Sequence, residues 1–169
     1  MTQTDQSISQ QASGQQENPK SIVRMRAMNL LARREHSCFE LQRKLSDKLP
    51  DYSEIIGQVV FELQQDNLQS DERFAEAFLS SRIRRGLGPN RISMELQQRG
   101  VDQYLIEHIL EESGVDWCEL ASAVLNKKYG TKFCEDFKER ARRSSFLHYR
   151  GFNSDQISKC FNSSCPDND

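Results

Sequence analysis

The feature that most constrains this chain is an apolar triplet that returns three times at i, i+3, i+4 spacing. Ile56-Val59-Val60, Ile106-Ile109-Leu110 and Ile157-Cys160-Phe161 stand about fifty residues apart, within the period range of stacked supersecondary units. Each triplet puts one apolar face on a helix. Upstream of each lie two further helical patterns: Ala27-Leu30-Leu31, Phe74-Ala77-Phe78 and Leu120-Ala123-Val124 mark a first helix, and Leu41, Leu96 and Leu147 a short second one. No stretch alternates apolar and polar residues long enough to argue for strands. The expected fold class is therefore all-α, an elongated, curved array of three tandem three-helix repeats. A unit of this size has only a small core and must also pack on its neighbours.

Local punctuation agrees. Ser37 followed by Glu40 is a capping box at the start of the first unit's second helix, and Pro89 starts the same helix in the second unit. Arg99-Gly100 and Arg150-Gly151 stop that helix in units two and three, where glycine accepts the left-handed conformation. Unit one carries Leu45 and a longer Ser46 to Pro50 connection instead. These signals predict a disordered Gln/Ser-rich tail over 1–20, repeats over 21–69, 70–116 and 117–165, and a C-terminal tail over 166–169.

A formal net charge of -2 conceals a segregation of sign. Arg24, Arg26, Arg33, Arg34, Arg43 and Lys44 outweigh Glu35 and Glu40, and from Ser46 to Glu72 seven acids face only Lys48. Arg73, Arg82, Arg84, Arg85, Arg91 and Arg99 outweigh Glu76 and Glu95, and six acids follow through Glu119 with no Lys or Arg. In unit three Lys127, Lys128, Lys132, Lys138, Arg140, Arg142, Arg143 and Arg150 outweigh Glu135, Asp136 and Glu139. Equivalent helices on equivalent sides of an array would join these cations into a basic stripe, suited to nucleic acid or to an acidic protein groove. The phenylalanines near basic positions, Phe39, Phe133, Phe137 and Phe146, are expected in the core rather than as platforms for bases.

Several chemistries are excluded by pattern. No apolar run approaches the roughly 20 residues of a membrane span, and the N-terminus lacks the order of a secretory signal, so the expected location is cytoplasmic. Cys38, Cys118, Cys134, Cys160 and Cys165 are odd in number with no C-x-x-C pair, which predicts reduced thiols, neither disulfide nor zinc. Gly86-Leu87-Gly88 lacks the Gly-Lys-Ser/Thr of a phosphate cradle and reads as a helix stop ahead of Pro89. His36, His108 and His148 belong to different units, with no metal-ligand spacing around them, and His36 reads as the neighbour of a helix cap. There is no nucleophile elbow; Glu111-Glu112 and Asp71-Glu72 read as an acidic helix end and a first-turn dipole complement. The expectation is a macromolecule-binding protein, not an enzyme, with no cofactor and no metal.

Two runs carry a resemblance. Ser70-Asp71-Glu72-Arg73-Phe74-Ala75, then Arg82, then Gly88-Pro89-Asn90-Arg91-Ile92-Ser93-Met94-Glu95-Leu96-Gln97-Gln98-Arg99-Gly100 closely resembles the RecX family, and Ala32-Arg33-Arg34-Glu35-His36-Ser37 with Glu40-Leu41 and Lys44-Leu45 is similar to its N-terminal pattern. The likeness spans residues 24–161; it departs where Phe146-Leu147 replaces the Glu95-Leu96 of unit two, and in the tail before Pro19. It implies a modulator, usually an inhibitor, of the RecA recombinase, lying in the helical groove of the RecA–DNA filament. There such a protein limits filament growth and reduces ATP hydrolysis, strand exchange and the coprotease activity that triggers the SOS response.

The expected partner is therefore RecA, chiefly as a filament on DNA, with weak direct DNA contact, no membrane, and a monomeric chain. The expected contacts on the basic face are Arg82, Arg84, Arg85, Arg91 and Arg99, then Arg33, Arg34, Arg43 and Lys44, with Lys127, Lys128, Arg140, Arg142 and Arg143 from unit three. Arg91 and Arg99 carry a structural alternative as cations near a helix end that pair with Glu95. The alternative function is a nucleic-acid-binding protein that acts without RecA through the same stripe.

Overall fold

The computed structural model describes residues 18–131 and 136–162. Expectations placed on the tail up to residue 17, on Lys132, Phe133, Cys134 and Glu135, and on residues 163–169 with Cys165 lie outside the described residues. Among the described residues there are nine α-helices and no strand. Unit one comprises α1 (Pro19–Leu31), α2 (Cys38–Lys48) and α3 (Ser53–Gln65); unit two α4 (Asp71–Arg84), α5 (Pro89–Gln97) and α6 (Gln103–Glu112); unit three α7 (Trp117–Tyr129), α8 (Phe137–Tyr149) and α9 (Ser154–Asn162). The long Ser46 to Pro50 connection becomes an extended α2 followed by a single 3-10 turn, Pro50–Tyr52.

Short polar side chains start these helices where the backbone N–H groups lack partners. Asn18 caps α1 ahead of Pro19, two residues before the expected start, and Ser37, Ser70, Asp102, Asp116 and Asp136 cap α2, α4, α6, α7 and α8. At Ser37 the Oγ accepts from the Glu40 N–H as expected, but the Glu40 carboxylate is engaged elsewhere, by Arg34 and Arg99. The predicted stops also form: the amides of Val101 and Phe152 bond back to the carbonyls of Leu96 and Leu147 across Gly100 and Gly151, both at positive φ.

Each unit closes on its own core. Leu41, Leu96 and Leu147 are fully buried, and the third-helix triplets face inward in all three units, with Leu110 only partly buried. The first-helix triplets need a correction. Phe74 is buried in the core of unit two as expected, but the rest of the first-helix core in units two and three comes from Ala75 and Leu79, and from Ala121 and Leu125, one position further round the helix. Ala77 and Ala123 are exposed, and Phe78, Leu120 and Val124 only half-buried. Those triplets line the clefts between units. The phenylalanine expectation fails in part for a related reason: Phe39 is half exposed where the next unit's Gly100 packs on it, and Phe137 is 83% exposed at the start of α8.

The units are joined by one repeated device. The corner between second and third helix of one unit, Arg99-Gly100-Val101 or Arg150-Gly151-Phe152, sits on the N-cap of the preceding unit's second helix. At the first joint Ser37 Oγ donates to the Arg99 carbonyl at 2.6 Å; at the second, Gly88 N–H donates to the Arg150 carbonyl at 2.8 Å and Asn90 N–H to the Gly151 carbonyl at 3.1 Å. Ser37 and Gly88 are the equivalent N-cap residues of α2 and α5.

Candidate functional site

Placing a corner on an N-cap leaves a cleft beside each joint, walled by the loop after the first helix of one unit and the first helix of the next. The cleft between units one and two, about 460 Å³, is lined by Arg34, Glu35 and Glu40, by Phe74, Ala77, Phe78, Ser81 and Arg82 of α4, and by Arg85 and Arg99. The cleft between units two and three, about 370 Å³, is lined by Ile83, Arg84, Arg85 and Gly86, by Leu120, Ala123, Val124, Lys127 and Lys128 of α7, and by Phe146 and Arg150. Arg85 lines both, so the two are contiguous. On the other flank of α4, Glu72 and Glu76 meet His108 and Glu112 of α6 in a third, acidic cleft. The basic and acidic residues of α4 thus lie on different faces, as a 3.6-residue period dictates for 72, 76 against 74, 78, 82 and 85.

The two basic clefts differ in how their cations are held. In the first, Arg82 bonds Glu95 at 2.7 Å and lies 4.0 Å from the Phe78 ring centroid. Arg99 lies 4.6 Å from the same ring, donates to the Glu95 carbonyl at 2.6 Å, and pairs with Glu40 at 3.3 Å across the joint. Arg91 takes the other Glu95 oxygen at 3.1 Å, and Arg34 takes Glu40 at 3.0 Å. Burial pushes the Glu95 carboxyl up, but hydrogen bonds from Arg82 and Arg91 and their charges outweigh it and hold it below the usual carboxylate range.

In the second cleft Phe146 stands where unit two has Glu95. Lys128 and Arg150, the counterparts of Arg82 and Arg99, lie 3.8 and 4.9 Å from the Phe146 ring. The Arg150 guanidinium also donates to the carbonyls of Arg85 and Gly86 across the joint, at 2.8 and 3.1 Å. None of the ion pairs among the described residues involves Arg84, Arg85, Lys127 or Lys128.

The expected basic residues therefore divide. Arg34, Arg82, Arg84, Arg85, Arg99, Lys127 and Lys128 gather in the two clefts, whereas Arg33, Arg43, Lys44, Arg91, Arg140, Arg142 and Arg143 do not line them. Arg91 stacks toward Tyr149 at 5.8 Å, Arg140 toward Phe161 at 5.0 Å, and Arg142 and Arg143 pair with Glu139. Sequence reasoning passed over Arg150, Phe78 and the α7 floor. The signal for Arg150 was present, since Arg150-Gly151 repeats Arg99-Gly100 in register.

Comparison with known proteins places the chain in a family and matches its fold. Residues 70–110 match the description "RecX, second three-helix domain" and residues 115–161 "RecX, third three-helix domain". The Regulatory protein RecX of Pseudomonas fluorescens is 43% identical over 137 residues, 81% of this chain and 88% of that protein. This chain belongs to the RecX family. The Regulatory protein RecX of Halorhodospira halophila is 42% identical over 135 residues, 80% of this chain and 83% of its own length. The crystal structure of RecX from Lactobacillus salivarius superposes with a TM-score of 0.71 at 21% identity, covering 86% of this chain and 96% of that one, a likeness of fold. The two matched RecX domains fall on the second and third units, each side of the second basic cleft. No helix among the described residues is long and apolar enough to cross a membrane.

Proposed function

We propose that this RecX-family protein modulates the RecA recombinase, acting as an inhibitor that lies in the groove of the RecA–DNA filament. There it limits filament growth, ATP hydrolysis, strand exchange and coprotease activity. The observation that carries this reading is the repeated joint: each one builds a cleft with cations on its walls, and the clefts meet at Arg85. A ligand that itself repeats, such as a filament, is matched by a rod that offers one basic notch per joint. Several modest contacts then add through effective concentration. The same chemistry accommodates weak contact with DNA phosphates along the filament. The protein works as a monomer in the cytoplasm, without catalysis.

The test is a titration into RecA on single-stranded DNA, read as ATP hydrolysis. Arg82 is a poor probe because its bond to Glu95 ties α4 to α5 while its guanidinium covers the Phe78 ring of its own helix. Arg84 and Arg85 are exposed and bear no such load. Joint Arg84→Glu and Arg85→Glu substitution is expected to weaken inhibition by at least about tenfold, as reversing rim charges does elsewhere, with the circular dichroism unchanged. Unchanged inhibition would remove these residues from the site. Equal affinity for bare DNA and for the RecA filament at matched salt would favour a nucleic-acid-binding protein acting without RecA.

A further inference from the structure

We infer that the cleft between units two and three is a docking site for an acidic protein segment that inserts an aliphatic side chain between its flanking carboxylates. This inference rests on the RecA reading only in taking RecA as the protein that supplies the segment. Three observations carry it.

The first is charge. Arg84, Arg85, Lys127, Lys128 and Arg150 line this cleft with no carboxylate among the lining residues, whereas Glu35 and Glu40 stand in the wall of the first cleft and Glu95 lies under its arginines. The substitution that makes the difference is Phe146 in the place of Glu95. The second is the floor. Ala123 is exposed, and Leu120 and Val124 are only half-buried, so an aliphatic surface stays in contact with water at the bottom of the cleft. Apolar area in a concave, cation-rimmed site is covered by an apolar side chain whose neighbours satisfy the rim. The third observation weighs against nucleic acid as the occupant. The nearest ring, Phe146, already carries the Lys128 ammonium and the Arg150 guanidinium, and single-strand sites need an open aromatic face on which bases stack. A phosphate backbone would meet the rim but leave the floor wet.

The experiment uses the full chain and a fluorescein-labelled synthetic peptide of glutamates with two leucines four positions apart. Its partners are the same peptide with serines for the leucines, and an oligothymidylate, all at one salt concentration. Anisotropy is expected to show the leucine peptide binding at least about tenfold more tightly than the serine peptide, a discrimination of the size that buried apolar side chains provide. Amide shifts should concentrate on 120–128 and 84–86. Ala123→Glu, which adds a charge to the floor at an exposed position, should weaken the peptide by about tenfold, and Lys127→Glu on the rim by a smaller factor of about three to five. Equal binding of the two peptides, wild-type affinity in both variants, or displacement of the peptide by oligothymidylate from the same amides would each overturn the inference. Peptide failure with RecA inhibition intact overturns this inference alone; absence of RecA inhibition by the wild-type chain overturns the reading beneath it.

Discussion

The two joints of this array use one geometry and two chemistries. At the joint of units one and two, side chains make the contact: Ser37 to the Arg99 carbonyl, the Cys38 N–H to Asp71 at 2.7 Å, Gln69 bridging the His36 carbonyl and Asp71 at 3.0 and 2.9 Å, and the ion pairs Arg73–Glu35 and Arg99–Glu40. At the joint of units two and three, backbone meets backbone, and among the described residues the side chain that hydrogen-bonds across it is Arg150, donating to the carbonyls of Arg85 and Gly86. A Cβ on Gly88 would lie 2.5 Å from the Gly151 carbonyl carbon and oxygen, whereas a Cβ on Gly100 would meet the side chain of Phe39. The lesson is that glycine brings the second joint close enough for main-chain bonds, which salt and pH barely touch. The first, joined through side chains, depends in part on charges that solvent can modulate.

The largest expected effect breaks the second joint. Gly88 has an ordinary φ of -83°, so Gly88→Ala costs nothing in backbone conformation and acts only through the clash with Gly151 and Phe152. Urea unfolding should show a loss of about 3 kcal/mol, the range of overpacking where backbone atoms cannot yield. The second cleft should open with it, and a loss below about 1 kcal/mol would mean that the corner can shift without cost.

Next in size is Ser37→Ala at the equivalent place in the first joint. It removes a helix cap and the bond to Arg99 together, for about 1–2 kcal/mol by the same measurement. Because two of the remaining contacts there are part-exposed ion pairs worth little singly, the mutant's residual coupling between units should weaken with added salt more than that of the wild-type second joint.

The smallest effect is pH-dependent and confined to the first joint. Burial lowers the His36 pKa from 6.5, aided by the charges of Arg34 and Lys44 and opposed by the Arg34 carbonyl and Glu40. His36 is 2% exposed, and its Nε2 faces no acceptor among the described residues. The folded state therefore keeps the imidazole neutral to a lower pH than the unfolded chain, which protonates near 6.5. This contribution to stability is complete above that value and is lost as pH falls from it through the lower folded value. Amide exchange corrected for intrinsic rates should accelerate at Cys38 relative to Asn90 over that window. Equal acceleration at both would place the sensitivity outside the joint.

Much of the fold was legible beforehand because it rests on local rules. The triplets Ile56-Val59-Val60 and Ile157-Cys160-Phe161 needed only a helical period, and Gly100 and Gly151 only the preference of a helix stop. The site was legible only as a stripe. Arg82, Arg84 and Arg85 lie within four residues on one helix end, and charge counting treats them alike. What separates them is distant in sequence: Glu95 takes Arg82, while Arg84 and Arg85 are left to the cleft wall. The triplet Leu120-Ala123-Val124 misled for a similar reason, since an apolar stripe looks the same whether it faces its own unit or the next.

By itself, then, the sequence determined an all-helical chain of three repeats, the stops and caps that frame them, and the alternation of basic and acidic segments. These follow from backbone propensity, periodicity and counting, which act over a few residues. Only the tertiary structure decided which arginines are structural ties and which stand free, that the α7 triplet floors a cleft, and that Phe146 in the place of Glu95 leaves one notch without a neutralising carboxylate. The physical reason is that the energy of a charge or an apolar side chain is fixed by what surrounds it, and here those surroundings come from other helices, of the same unit for Arg82 and of the neighbouring unit for the α7 face.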